Sequence, residues 1–198
     1  MGLLPLVLLA AACGGSTPAT PTTNPNSTRT ATPVVVPTTT PIPHISVRAA
    51  VPGIGTPVPD EGANHVEEGT RVSYATTPPT SGSHWPAWAP CGAYSNQVHD
   101  EVIVHNLEHG NVVISHNLTD PDELSRLVQL TDSLVDFDKW GVLRPYSDID
   151  KGFVGMSAWT VVDLFQGMDV ERIRRFYDTY RDNQLSNETA QLEGGIPC

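Results

Sequence analysis

Beyond residue 59 the apolar positions change period from one segment to the next. Val102-Ile103-Val104 and Val112-Val113-Ile114 are branched apolar triplets of a kind that suits a pleated surface. Between them lies His105-Asn106-Leu107-Glu108-His109-Gly110, so the pattern predicts strand, polar turn, strand, with Gly110 supplying a positive φ. A short strand is predicted at Arg71-Val72-Ser73-Tyr74, an extended segment at Val142 to Tyr146, and one or two strands within Phe153 to Phe165. Asp120-Pro121-Asp122-Glu123 has the composition of a helix start, and Leu124, Leu127, Val128, Leu130 and Leu134 then recur at helical spacing. Asp169 caps a second helix with Val170, Ile173, Phe176, Tyr177 and Tyr180 on one face. The order of elements predicts an α+β domain over residues 59–198, with a small, mostly antiparallel sheet covered by two helices.

The first 58 residues follow other rules. Residues 1–12 are apolar but too few to span a bilayer, and end in Ala10-Ala11-Ala12-Cys13-Gly14-Gly15-Ser16, the form of an export signal with its cleavage site. The cysteine after the small residues resembles the lipobox of bacterial lipoproteins, which would make Cys13 the lipidated N-terminus and the lipid an anchor in the membrane. A plain secretory signal with an incidental cysteine is the other reading. Residues 14–58 hold 9 Pro and 11 Thr, no acid and no aromatic residue. Such a stretch buries too little to offset its ordering entropy, so 13–58 is predicted to be a disordered Pro/Thr-rich tether. His44 falls within it as an incidental residue.

Charge narrows the partners. Residue 59 onward carries 9 basic and 22 acidic residues, a surface that repels phosphate backbones and excludes nucleic acid as a partner. Of the 3 cysteines, Cys91 and Cys198 remain as an even pair if Cys13 is lipidated, and an extracytoplasmic location favours a disulfide over free thiols. Neither lies in a CxxC spacing, which argues against a thiolate metal site.

The candidate chemistry is carried by histidine. Several motifs stand in order: His65-Val66 with Gly69, Tyr74, Pro78-Pro79-Thr80-Ser81-Gly82 with His84, Gly92 with Tyr94, His105 with Leu107-Glu108-His109-Gly110, Pro145-Tyr146 and Ala158-Trp159. In this combination the chain resembles the family catalogued as domain of unknown function 3105, found in exported and membrane-anchored bacterial proteins. The resemblance spans most of residues 62–183. It implies that His65, His84, His105 and His109 belong to the family pattern, whereas His44, His99 and His116 are peculiar to this chain. Ser83 stands where the family pattern has Pro.

Three functions compete. The first is a transition-metal site of His65, His84, His105 and His109, with Glu108 as a further ligand or a group orienting an imidazole. Neutral imidazoles suit zinc or copper, and the scarcity of methionine argues against a thioether copper carrier. The second takes His105-x-x-Glu108-His109 as the HxxEH of zinc peptidases with Glu108 as general base, a chemistry that needs both histidines on one helix face. The strand-like flanks argue against it. The third is a binding module for another envelope protein, a peptide or a glycan, using Trp85, Trp88 and Tyr94 as an apolar rim, with the histidines as scaffold.

Overall fold

The computed structural model describes residues 44–198. The predicted signal peptide, Cys13 and most of the predicted tether therefore lie outside the described residues. The elements are β1 (Thr56–Pro57), β2 (Gly92–Ala93), α1 (Asp100–Glu108), β3 (Val112–His116), α2 (Pro121–Thr131), α3 (Phe137–Trp140), β4 (Gly141–Pro145), β5 (Phe153–Ala158), β6 (Val161–Gln166) and α4 (Val170–Tyr180), followed by one short 3-10 turn. Six strands form one sheet in the order β1-β6-β5-β3-β4-β2. Pairings β1/β6, β6/β5 and β5/β3 are antiparallel, while β3/β4 and β4/β2 are parallel. The fold is α+β, as the element order predicts, and the sheet is mixed rather than purely antiparallel.

Both helices predicted from caps form where expected. The Asp120 side chain accepts the amide of Asp122 at 2.8 Å, and Asp169 accepts that of Arg172 at 3.0 Å. Their apolar faces pack with Val112, Ile114, Leu143, Met156 and Phe165 on one face of the sheet. A third helix covers the other face. Ile103, Val104 and Leu107 of α1 bury fully against Val113, Val142 and Trp159. The alternation along β3 thus feeds two cores, Val112 and Ile114 to one side and Val113 to the other.

α1 corrects the prediction of a strand at Val102 to His105. Branched residues lose side-chain freedom in a helix, a cost of tenths of a kcal/mol each. Fully burying a side chain such as Ile103 or Leu107 returns about 1.5–3 kcal/mol, so tertiary packing decides. The end of α1 is a Schellman motif, with Gly110 N–H donating to Leu107 O at 3.0 Å and Asn111 N–H to Asn106 O at 3.0 Å. Gly110 has the predicted positive φ, +88°, but as a helix cap rather than a hairpin turn. Arg71 to Tyr74 is coil, not a strand.

The packed domain also begins before residue 59. Val47, Ala50, Val51 and Ile54 pack against the core, and β1 pairs with β6. The hydroxyl of Tyr180 accepts the Val51 amide at 2.9 Å and donates to Ile54 O at 2.7 Å. Cys91 and Cys198 form the predicted disulfide, with Cα atoms 5.3 Å apart. No helix of the described residues is long and apolar enough to cross a membrane.

Candidate metal centre

The site forms where α1 meets two loop segments. Backbone bonds from Val66 N to His84 O (2.8 Å) and from His84 N to Asn64 O (3.0 Å) lay His65 and His84 side by side. Trp85 N donates to Glu101 O at 3.1 Å, docking the second segment on α1. Further along that loop, Ala89 N donates to Asn106 Oδ1 (2.9 Å) and Asn106 Nδ2 donates to Ala89 O (2.8 Å). Asn106 is fully buried and acts as a two-point clamp between loop and helix.

These constraints bring His65, His84, His105 and Glu108 together, with one potential ligand atom of each lying within 4.8 Å of all the others. Tetrahedral ligands about 2.1 Å from a zinc ion stand about 3.4 Å apart, so a small contraction would close the set on an ion. Ring centroids of His65, His84 and His105 are 4.9–5.0 Å apart. His84 Nε2 lies 2.9 Å from Glu108 Oε2, and His65 Nε2 lies 3.8 Å from the same oxygen.

The ring tautomers are set by carbonyls. Nδ1 of His84 meets Gly82 O at 2.9 Å, and Nδ1 of His105 meets Trp85 O at 2.8 Å. A carbonyl only accepts, so both Nδ1 atoms carry a proton, and in the neutral ring each Nε2 is left with its lone pair. His84 Nε2 is buried and, despite its closeness to Glu108, has no partner of hydrogen-bonding geometry among the described residues. An orphaned buried lone pair aimed at a carboxylate and two further imidazoles is a costly arrangement without a cation and a favourable one with it.

Burial shapes the proton equilibria. His105 is held below the usual histidine range by desolvation, only partly offset by the Trp85 carbonyl. His109 is lowered to about 4, by desolvation and then by the neighbouring His105. Burial works against ionisation of Glu108, but contact with His84 and the charges of His84, His105 and His65 outweigh it and lower its pKa. A lowered pKa at His105 and at Glu108 favours the deprotonated forms in which both can bind a metal.

Three of the four predicted ligands come together, with Glu108 rather than His109 beside them. His109 lies outside the cluster although its ring centroid is 4.5 Å from that of His105. Its Nε2 is 3.6 Å from Glu188 Oε2, and its Nδ1 is buried without a hydrogen-bond partner among the described residues. Glu108 takes the fourth place. The HxxEH stretch does lie on a helix, which removes the objection raised by its flanks, yet Glu108 stands among the donors rather than apart from them. His44, His99 and His116 are elsewhere: His44 meets Arg181 O, His99 precedes α1 beside Arg71, and His116 ends β3.

The aromatic loop is also rearranged. Trp85 is buried, its indole N–H donating to Thr70 O at 2.8 Å, so it offers no exposed rim. Tyr94 donates to Pro90 O at 2.6 Å. Trp88 is the exposed member, packed edgewise on His105 and tilted against His109 at 5.3 and 5.1 Å. Asn106 and Glu188 were not singled out in the sequence; a polar residue inside the buried stretch of a helix, as Asn106 is, was the available signal.

A family model described as "Protein of unknown function (DUF3105)" matches residues 65–194, which include every member of the cluster. No curated protein and no solved structure matches the chain significantly.

Proposed function

The chain belongs to that family of proteins of unknown function, and we propose from its site that it is an extracytoplasmic metal-binding protein holding one divalent transition metal on His65, His84, His105 and Glu108. The observation that carries this reading is His84 Nε2, buried and without a partner of hydrogen-bonding geometry among the described residues, 2.9 Å from a carboxylate oxygen and facing two further imidazoles. Three imidazoles and one carboxylate favour zinc or copper over the oxygen-seeking calcium and magnesium. The metal would neutralise the convergent lone pairs and tie α1 to both loops.

The disulfide supports an oxidising compartment. With the signal-like residues 1–12 and Cys13, it supports export and lipid anchoring, the Pro/Thr-rich stretch holding the domain off the membrane. Acylation lost in Cys13→Ala would bear this out, and unchanged labelling would end it.

The decisive experiment is the elemental content of the tag-free protein and of His84→Ala and Glu108→Ala. Near-stoichiometric zinc or copper, lost in both variants, is the expected result; a wild-type protein that binds neither metal after reconstitution overturns the reading. A hydrolytic role for Glu108, favoured by its helical setting, would need Glu108→Gln to keep the metal and lose turnover.

A further inference from the structure

The four donors are not held alike. His84, His105 and Glu108 are 0%, 4% and 6% exposed. The two histidines are pinned through Nδ1 to backbone carbonyls, and His105 and Glu108 share the last turns of α1. His65 differs on each count. Its side chain is 53% exposed, and neither ring nitrogen has a hydrogen-bond partner among the described residues. The hydrogen bonds that hold it run through the neighbouring main chain, Asn64 O and Val66 N, and its ring has van der Waals neighbours in the His84 and His105 rings. Its Nε2 is also farther from Glu108 than that of His84, 3.8 Å against 2.9 Å.

We propose that His65 is the displaceable ligand of an otherwise rigid three-donor centre, so that the site exchanges its metal with an external nitrogen donor rather than locking it in. The inference rests on the metal reading above. A ring with no outer hydrogen bond can swing into solvent at the cost of one metal–nitrogen bond, while the buried three keep their geometry. The exchange is a simple substitution: the bond from the metal to His65 Nε2 breaks as one from the incoming imidazole nitrogen forms. No electron or proton is transferred. Entry is from the solvent side, since the other three donors are enclosed by α1 and the 82–89 loop.

The test uses the cobalt(II)-loaded protein, whose visible spectrum reports coordination, and the zinc-loaded protein mixed with a chelator. His65→Ala is expected to release zinc about tenfold faster and to lose about tenfold in affinity. Its cobalt spectrum should shift and return towards the wild-type form on adding millimolar imidazole. His84→Ala should lose the metal altogether. Two results overturn the proposal: an unchanged spectrum in His65→Ala, which removes His65 from the ligand set, or loss of metal as complete as in His84→Ala, which makes it an equal member of a closed site. In either case wild type still binds metal, so the reading of a metal-binding protein survives, without His65 among its ligands in the first case. If wild type binds no cobalt or zinc, the parent reading fails and this one with it. Far-ultraviolet circular dichroism of both metal-free variants checks that the fold is retained.

Discussion

Asn106 holds both the amide and the carbonyl of Ala89, at 2.9 and 2.8 Å, from within the helix that carries His105 and Glu108. The same side chain donates to Asn111 Oδ1 at 3.1 Å. The loop it grips includes Trp85, whose carbonyl sets the His105 tautomer. One buried amide therefore fixes the distance between the loop and the helix that carries His105 and Glu108.

Asn106→Leu is nearly isosteric and removes all three bonds, leaving the Ala89 amide and carbonyl to find water or go unpaired. The expected cost is about 1–3 kcal/mol of stability, with metal affinity reduced about 10–100-fold through the loosened His105 support. Urea unfolding and competitive metal titration measure the two separately. An unchanged affinity in a folded Asn106→Leu protein would show that the loop does not set the site.

How far this was readable in the sequence differs by element. The helices α2 and α4 were legible because Asp120 and Asp169 signal locally and the apolar stripes repeat over several turns. Along α1 the branched residues suggest a strand by themselves. The helical spacing of Ile103, Val104 and Leu107, the acids Asp100 and Glu101 at its start and Gly110 at its end all pointed the other way. The histidine cluster was legible as a set of residue types. Its membership was not, because Glu108 and His109 are neighbours on one helical turn, and only the docking of His84 against α1 selects Glu108. Residues 44–58 were hidden by composition, since a Pro- and Thr-rich stretch looks alike whether it dangles or straps a core.

Gly110 sits at φ +88°, and a Cβ there would run into the Asn183 carbonyl. Asn183 N and Nδ2 both donate to Gly110 O, so the tail cannot move away freely. Gly110→Ala should lose about 2 kcal/mol or more. Chemical denaturation would detect it, and a loss below about 0.5 kcal/mol would mean that the helix end can reshape.

Acid should destabilise the metal-free protein through its buried histidines, beginning above the ordinary carboxylate range. Burial lowers the pKa values of His109, His105 and His116. Above the ordinary value of 6.5 neither the folded nor the unfolded chain is charged at these rings, so nothing is lost. As pH falls from there towards about 4, where His109 itself titrates, the unfolded chain binds protons that the folded chain refuses, and stability drops. His109→Gln should flatten this slope. Equal slopes for wild type and His109→Gln, measured by urea unfolding in chelator, would refute the assignment.

The disulfide should matter to the metal as well as to the fold. The carbonyls that α1 leaves unbonded at its end are taken by the C-terminal segment: Glu108 O accepts Ser186 Oγ at 2.6 Å, His109 O accepts Ile196 N at 2.7 Å, and Gly110 O accepts Asn183 N at 3.2 Å. The last residue of that segment is bonded to Cys91, two residues beyond the Ala89 clamp, across a separation of 107 residues. The covalent link thus joins the cap of α1 to the loop that orients His105. Cutting it, by reduction or by Cys91→Ser with Cys198→Ser, should cost about 2–5 kcal/mol. It should also let the helix end and the loop drift apart, lowering metal affinity and speeding metal loss. Competition with a zinc chelator, with and without reductant, measures this. If the reduced protein is less stable but holds zinc as tightly and as long as the oxidised one, the bond serves the fold alone, and Asn106 by itself maintains the geometry between loop and helix.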